Sequence, residues 1–157
     1  MPISSSARTR LEFQHHTIRE LTAGFSEARL KQRADPSKWS AFENIVHLAS
    51  YQPVLLFRIY RMLNEDSPAF TRYTAEEDPQ FSIDLRLPLP ALFESIDTCR
   101  ADLVAKLESM SEEELSRTGV HPLFGKMDVV QWTEFFLLHE AHHLYTIFRL
   151  LQQLRKE

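Results

Sequence analysis

The chain has only three glycines and one cysteine in 157 residues, and each scarcity excludes something. So few glycines leave few positions of positive φ, which argues against a β-rich fold and against glycine loops that cradle phosphate. A lone thiol, Cys99, cannot form an internal disulfide and suits a reducing compartment. Apolar runs fall far short of the ~20 residues that cross a bilayer. The first ten residues are polar, with no core like that of a signal peptide. A cytoplasmic protein with no membrane partner is therefore expected. Basic residues number 18 against 22 acidic, with no concentrated basic face, so no nucleic-acid partner is expected either.

What is present belongs to a soluble globular chain: 43% hydrophobic residues, enough for a real core, and 25% charged. One domain over 1–157 is expected, with residues 1–10 flexible. Leu11, Ile18, Leu21, Phe25 and Ala28 recur at helical spacing and predict a first helix over 11–31, ended by Asp35-Pro36. Ser40 and Glu43 form a capping box. The second helix opens there and runs to about Leu63, with Pro53 inside it. Residues 64–84 turn polar and predict a long loop. Pro90 suits the first turn of a third helix, continued by Leu92, Ile96, Leu103 and Leu107 to near Met110. Ser111 to Glu114 offers a second capping box, and 118–127 a loop or small hairpin. Asp128, with Gln131 three residues on, caps a last helix reaching about Leu154. The expected fold is all-α, a four-helix bundle with a long loop between the second and third helices.

The last helix carries the strongest chemical signal. Its apolar stripe reads Trp132, Phe135, Phe136, His139, His143, Ile147, Leu150 and Leu154. His139 and His143 stand at i and i+4, one turn apart on one face, a spacing that a divalent metal can bridge. Imidazoles turned into a core need partners for their ring nitrogens, and one metal serves both. A pair needs a third ligand, and His47, among Ile45, Val46 and Leu48 on the second helix, is the natural candidate. His15 and His16 read as surface residues, at least one of them facing solvent. His121, before a proline, is a candidate lining residue. His142, also a candidate for lining the site, is rotated about 100° from His143 and is expected to face a neighbouring helix or a partner. His139, Glu140 and His143 fit the zinc-protease pattern H-E-x-x-H, but no third acidic or histidine ligand suits it downstream and no strand pattern offers a peptide an edge.

Trp39-Ser40-x-x-Glu43-Asn44-x-x-His47-Leu48 resembles the start of the second helix in the DinB-like metalloprotein superfamily. His121-Pro122-x-x-Gly125, followed by Trp132-x-x-Phe135-x-x-x-His139-Glu140-Ala141-His142-His143-Leu144, resembles its closing segment. The resemblance implies a bundle of up-down-down-up type, often homodimeric. It also implies one divalent metal, zinc or nickel, on His47, His139 and His143. Thr146 stands where relatives often carry glutamine. Relatives include thiol transferases, so a metal-dependent enzyme acting on a small molecule, a thiol S-transferase or a hydrolase, is expected, with a low-molecular-weight thiol as one candidate substrate. Tyr51, Glu140 and Arg58 are the candidate catalytic groups, and Cys99 reads as a buried, inert thiol. The competing reading is a non-catalytic, metal-stabilised bundle acting in stress response; an HExxH protease ranks below both.

Overall fold

The structure is a computed structural model that describes residues 2–155. Its first long element is a broken helix. α1 (Ser5–Phe13) passes through a single 3-10 turn, Gln14–His16, into α2 (Thr17–Thr22), and α3 (Glu27–Leu30) follows as one separate turn. The continuous helix expected over 11–31 is interrupted because Gly24, just past the end of α2, takes φ +84, a left-handed stop that glycine accepts without strain. The flexible stretch expected over 1–10 is, from Ser5 on, the helix α1. Ile3, Ala7 and Leu11 are buried on its inner side and hold it to the bundle.

The remaining long helices follow their capping signals. α4 (Ala41–Asn64) opens on Ser40, whose hydroxyl accepts from the Glu43 N–H at 3.1 Å while the Glu43 carboxylate accepts from the Ser40 N–H at 2.8 Å. It runs through Pro53, which sits on the exposed face. The segment 64–84 is not wholly irregular: Asp78 caps a short helix, α5 (Pro79–Asp84), which buries Phe81. α6 (Leu89–Glu108) has Pro90 in its first turn. α7 (Glu112–Leu115) is the small capped turn. β1 (Thr118–His121) and β2 (Gly125–Asp128) form an antiparallel hairpin in which His121 pairs with Gly125. α8 (Val129–Leu154) begins in a reciprocal cap between Asp128 and Gln131. Caps of this kind contribute about 1 kcal/mol each.

The broken first helix, α4, α6 and α8 make the four-helix bundle. α4 packs on both α6 and α8, and α1 and α2 close the ring on the other side. The core falls into two apolar halves. One gathers Leu11, Leu55, Ile59, Leu103, Trp132 and Phe136; the other gathers Ile18, Phe42, Ile45, Leu92, Ile96 and Ile147. Each such side chain contributes about 1.5–3 kcal/mol when fully buried. The hairpin is pressed against this core at Gly119, where a Cβ would collide with the Phe70 ring and meet Met62 Sδ at 2.9 Å. A side chain there would have to push Phe70 and Met62 aside, and two residues on, His121 lines a cleft. Among the described residues no helix is long and apolar enough to cross a membrane.

Candidate metal centre

Three imidazoles meet between α4 and α8. His47, buried on α4, stands with its ring centroid 5.0 Å from that of His139 and 4.4 Å from that of His143; the two α8 rings are 4.6 Å apart. One ring nitrogen from each lies within 4.8 Å of the others. His47 Nε2 and His139 Nε2 approach to 3.0 Å. Two lone pairs cannot face each other at that distance without a proton or a cation between them. The Nδ1 atoms of both rings are buried without a hydrogen-bond partner, an uncommon state for buried polar nitrogen.

The third ring is oriented from α4. Asn44 donates through Nδ2 to the Ser40 carbonyl at 2.8 Å, so its Oδ1 is the atom facing His143 Nδ1, also at 2.8 Å. An amide oxygen only accepts, so Nδ1 of His143 carries the proton and its Nε2 is left with the lone pair. Asn44 is the supporting group that the absence of glutamine at Thr146 left without an obvious candidate. Thr146 itself donates to the His142 carbonyl. Trp39 packs over the assembly, 5.2 Å from the His47 ring and 6.3 Å from that of His143.

Burial keeps the three rings neutral. Desolvation, then the neighbouring imidazoles, pushes His47, His139 and His143 each down to about 3. At neutral pH all three have lone pairs to give. The residues present therefore fit a divalent ion: three neutral nitrogen donors, converging, with no competing internal acceptor for two of the rings.

The triad borders a cleft of about 710 Å³, also lined by Tyr51, Arg58, Tyr73 and His121, a size that suits a small molecule. Tyr51 lies 4.4 Å from the His139 ring, centroid to centroid, and its hydroxyl accepts from Arg58 Nη1 at 3.2 Å. Burial raises the Tyr51 phenol above its ordinary range, with Arg58 pulling the other way. His121 Nδ1 accepts from the N–H groups of Leu123 and Phe124 at 3.1 and 3.2 Å, which places the proton of the neutral ring on Nε2. Tyr73 was not a sequence candidate; it lies in the segment read as loop, where nothing marked it.

Two candidates stand elsewhere. Glu140 is fully buried and turned away from the cleft. It pairs with Arg100 and accepts from Gln14 Nε2 at 2.8 Å and Gln52 Nε2 at 3.3 Å. One step along a helix is about 100°, enough to move it from the face of His139 to the centre of the bundle. With its carboxylate so occupied, the H-E-x-x-H pattern has no base here. His142 is exposed and borders a separate surface depression with Tyr145 and Arg149, not the cleft. The α8 stripe also needs correction. Trp132, Phe136, Ile147 and Leu154 are buried as expected, but so are Thr133, Leu137, Glu140, Leu144 and Leu151. His139 and His143 lie half-buried on the flank of that face, where they reach the cleft.

Of the other histidines, His16 is exposed while His15 is buried, its Nδ1 3.4 Å from Arg100 Nη1 and its Nε2 3.6 Å from Asp97. His15, His16 and Asp97 also lie close enough together to hold a metal. With Arg100 donating to Nδ1, however, the proton of His15 belongs on Nε2, and neither ring nitrogen has a free lone pair for a metal. Cys99 is half-buried, and its thiol is raised by burial and by Asp102, as an inert thiol should be.

Residues 10–147 match the family model described as the DinB superfamily. The uncharacterized protein YuaE of Bacillus subtilis is 27% identical over 137 residues, covering 77% of this chain and 82% of that one. A protein of Oceanobacillus iheyensis that carries a provisional name as a metal-dependent hydrolase is 21% identical over 135 residues, covering 86% of this chain and 78% of its own. Among solved structures, YfiT of Bacillus subtilis, described as a probable metal-dependent hydrolase with an unusual four-helix bundle topology, superimposes with a TM-score of 0.80. It is 16% identical, over 94% of this chain and 85% of its own.

Proposed function

The chain belongs to the DinB superfamily, and on that premise we propose that it is a metal-dependent enzyme of the hydrolase or thiol-transferase type, acting on a small molecule. One observation carries the reading: three neutral imidazoles on two helices converge, with ligand atoms within 4.8 Å of one another, at the wall of a cleft sized for a small ligand. His47, His139 and His143 would hold one divalent ion, zinc or nickel. Such an ion is a Lewis acid that lowers the pKa of a small nucleophile, water or thiol, at neutral pH.

The chain's own groups supply the rest. Asn44 fixes the tautomer and angle of His143. Trp39 and Tyr73 pack their rings against His47 from two sides. Tyr51 uses its oxygen to accept from Arg58, so its own proton is free for a group in the cleft. His121, which also lines the cleft, offers a second N–H. Glu140 takes no part. The absence of a fourth protein ligand among the described residues of the cluster favours an open, catalytic position over a purely structural one. Exposed Leu138 and Tyr145 on the outer face of α8 support pairing of two copies, which sedimentation would read.

The test uses protein stripped with chelator and reloaded with zinc or nickel. It is assayed for hydrolysis of activated esters and amides, and for conjugation of cysteine, as a model thiol, to an electrophilic dye. At least one reaction should require metal and disappear in His47→Ala. If neither responds to metal, the enzymatic reading fails.

A further inference from the structure

Among the described residues two arginines are buried in this bundle, and one of them has a counter-charge there. Arg100, 1% exposed, is surrounded by acceptors: the Glu140 carboxylate, Gln52 Oε1 at 3.2 Å and the Leu11 carbonyl at 3.0 Å. Arg58, 6% exposed, has no ion pair among the described residues. Its guanidinium donates to the Tyr51 hydroxyl at 3.2 Å and more weakly to the Thr71 carbonyl at 3.4 Å. The remaining N–H groups have no protein acceptor among the described residues, and the group lies 4.9 Å above the Trp132 ring and 5.6 Å from the Phe70 ring. Aromatic faces offset part of the cost of burying a cation, but they do not neutralise it.

The side chain borders the same cleft as the triad. Tyr51 links the two, touching His139 with its ring and Arg58 with its hydroxyl. The charge balance of the cleft is one-sided. The triad contributes no carboxylate, a divalent ion would add two positive charges, and Arg58 adds a third. Glu76, the one carboxylate lining the cleft among the described residues, is exposed at its rim. The neighbouring depression that Arg58 also borders holds Glu77 and Asp78, but neither pairs with it, and an anionic group on a ligand in the cleft would balance the charge.

We propose that Arg58, with the Tyr51 hydroxyl beside it, forms an oxyanion subsite that binds a carboxylate or phosphate group of the substrate. A guanidinium seated on an aromatic bed, with N–H groups free, presents the donor fork that such groups accept in pairs. Tyr51 adds a third donor from the triad side, so the anionic group is held beside the reacting end of the molecule and not at a remote rim. Arg72, exposed at the mouth and also lining the cleft, assists only as a screened charge. The subsite deepens the enzymatic reading above by naming its substrate as an anion, and it rests on that reading only for what happens after binding.

Nuclear magnetic resonance of the full-length protein, freed of metal with chelator, tests the subsite. Inorganic phosphate and succinate are titrated separately, which distinguishes phosphate from carboxylate. The signals followed are the Trp132 indole N–H and the Arg58 Nε–H. Saturable shifts of both are expected with at least one probe. Arg58→Gln should weaken that binding about 30-fold or more, the usual cost of removing one partner of a buried charge pair, and Arg72→Ala only slightly. Absence of a saturable shift in the wild type overturns the proposal, as does an Arg58→Gln variant that binds like the wild type. Should that variant not fold, the wild-type Arg58 Nε–H decides alone: if it does not move as the probe saturates, the subsite is wrong. A parallel zinc titration separates the two claims. Anion binding without zinc binding removes the metal reading and leaves the subsite; zinc binding without anion binding does the reverse.

Discussion

His139 and Glu140 are neighbours in sequence, yet they serve two polar regions built on different terms. Glu140 belongs to a layer with one member from each bundle helix: Gln14 at the 3-10 turn, Gln52 on α4, Arg100 on α6 and Glu140 on α8. That layer separates the two apolar halves of the core, and the Glu140 carboxylate takes up all three donors around it. His139 belongs to a cluster in which ring nitrogens face one another and two remain without partners. The closed layer satisfies itself; the open cluster leaves valence for something that arrives. The same contrast separates Arg100 from Arg58. Burial alone therefore does not mark a functional residue. Burial with unspent hydrogen-bonding capacity, beside a cleft, does.

The sharpest way to break this contrast is to cut the closed layer. Glu140→Ala leaves Arg100 as an uncompensated buried cation and should cost about 3–5 kcal/mol of stability, read by urea unfolding. Any molecules that still fold should bind zinc as the wild type does. Loss of metal binding in a variant of unchanged stability would move Glu140 into the site.

The open cluster should respond to metal and to acid. Zinc at a hundredfold its dissociation constant should stabilise the protein by about 2.7 kcal/mol at neutral pH, read by thermal melts. The triad imidazoles have folded pKa values of about 3, below the ~6.5 of an unfolded chain. Between those values the unfolded chain binds more protons. Stability is then full above pH ~6.5 and falls as pH drops toward 3. His15, lowered to about 4 chiefly by burial and then by Arg100, adds to the same loss. Protons compete with metal for the folded triad only near its pKa of about 3, so the zinc-dependent part should persist at pH ~5 and shrink as pH approaches that value. A zinc shift lost already at pH ~5, well above the folded pKa of about 3, would contradict ligation by these rings.

Asn44→Ala should weaken zinc binding about 10–100-fold, the usual effect of removing a group that orients a ligand, as measured by calorimetry; unchanged affinity would mean that His143 is placed without it. The smallest effect belongs to His142→Ala. Its ring lies outside the cleft, so stability should move by less than ~0.5 kcal/mol and zinc affinity not at all.

Much of this was legible in the sequence because it is local. The boundaries of α4 and α8 are written in Ser40-x-x-Glu43 and Asp128-x-x-Gln131, and the meeting of His139 with His143 in their i, i+4 spacing. The break at Gly24 was also visible in principle, but the apolar spacing of Leu21 and Phe25 spoke for continuation. Asn44 lies one turn before His47 on the same face, a signal that could have been used. What no spacing reveals is the partner across the bundle. Glu140 reads as a base beside a metal ligand until Arg100, 40 residues away in sequence, is placed against it. Likewise, Arg58 is one more charged residue until the hairpin and the 64–84 segment bury it without a carboxylate.

The claim that the open triad, and not the closed layer, receives the metal is tested most directly by zinc-induced shifts in melting temperature for three proteins at neutral pH. Wild type and Glu140→Gln should both gain stability on adding zinc, the variant from a lower starting point, while His47→Ala should gain none. A Glu140→Gln protein that ignores zinc, beside a His47→Ala protein that still responds, would contradict the account.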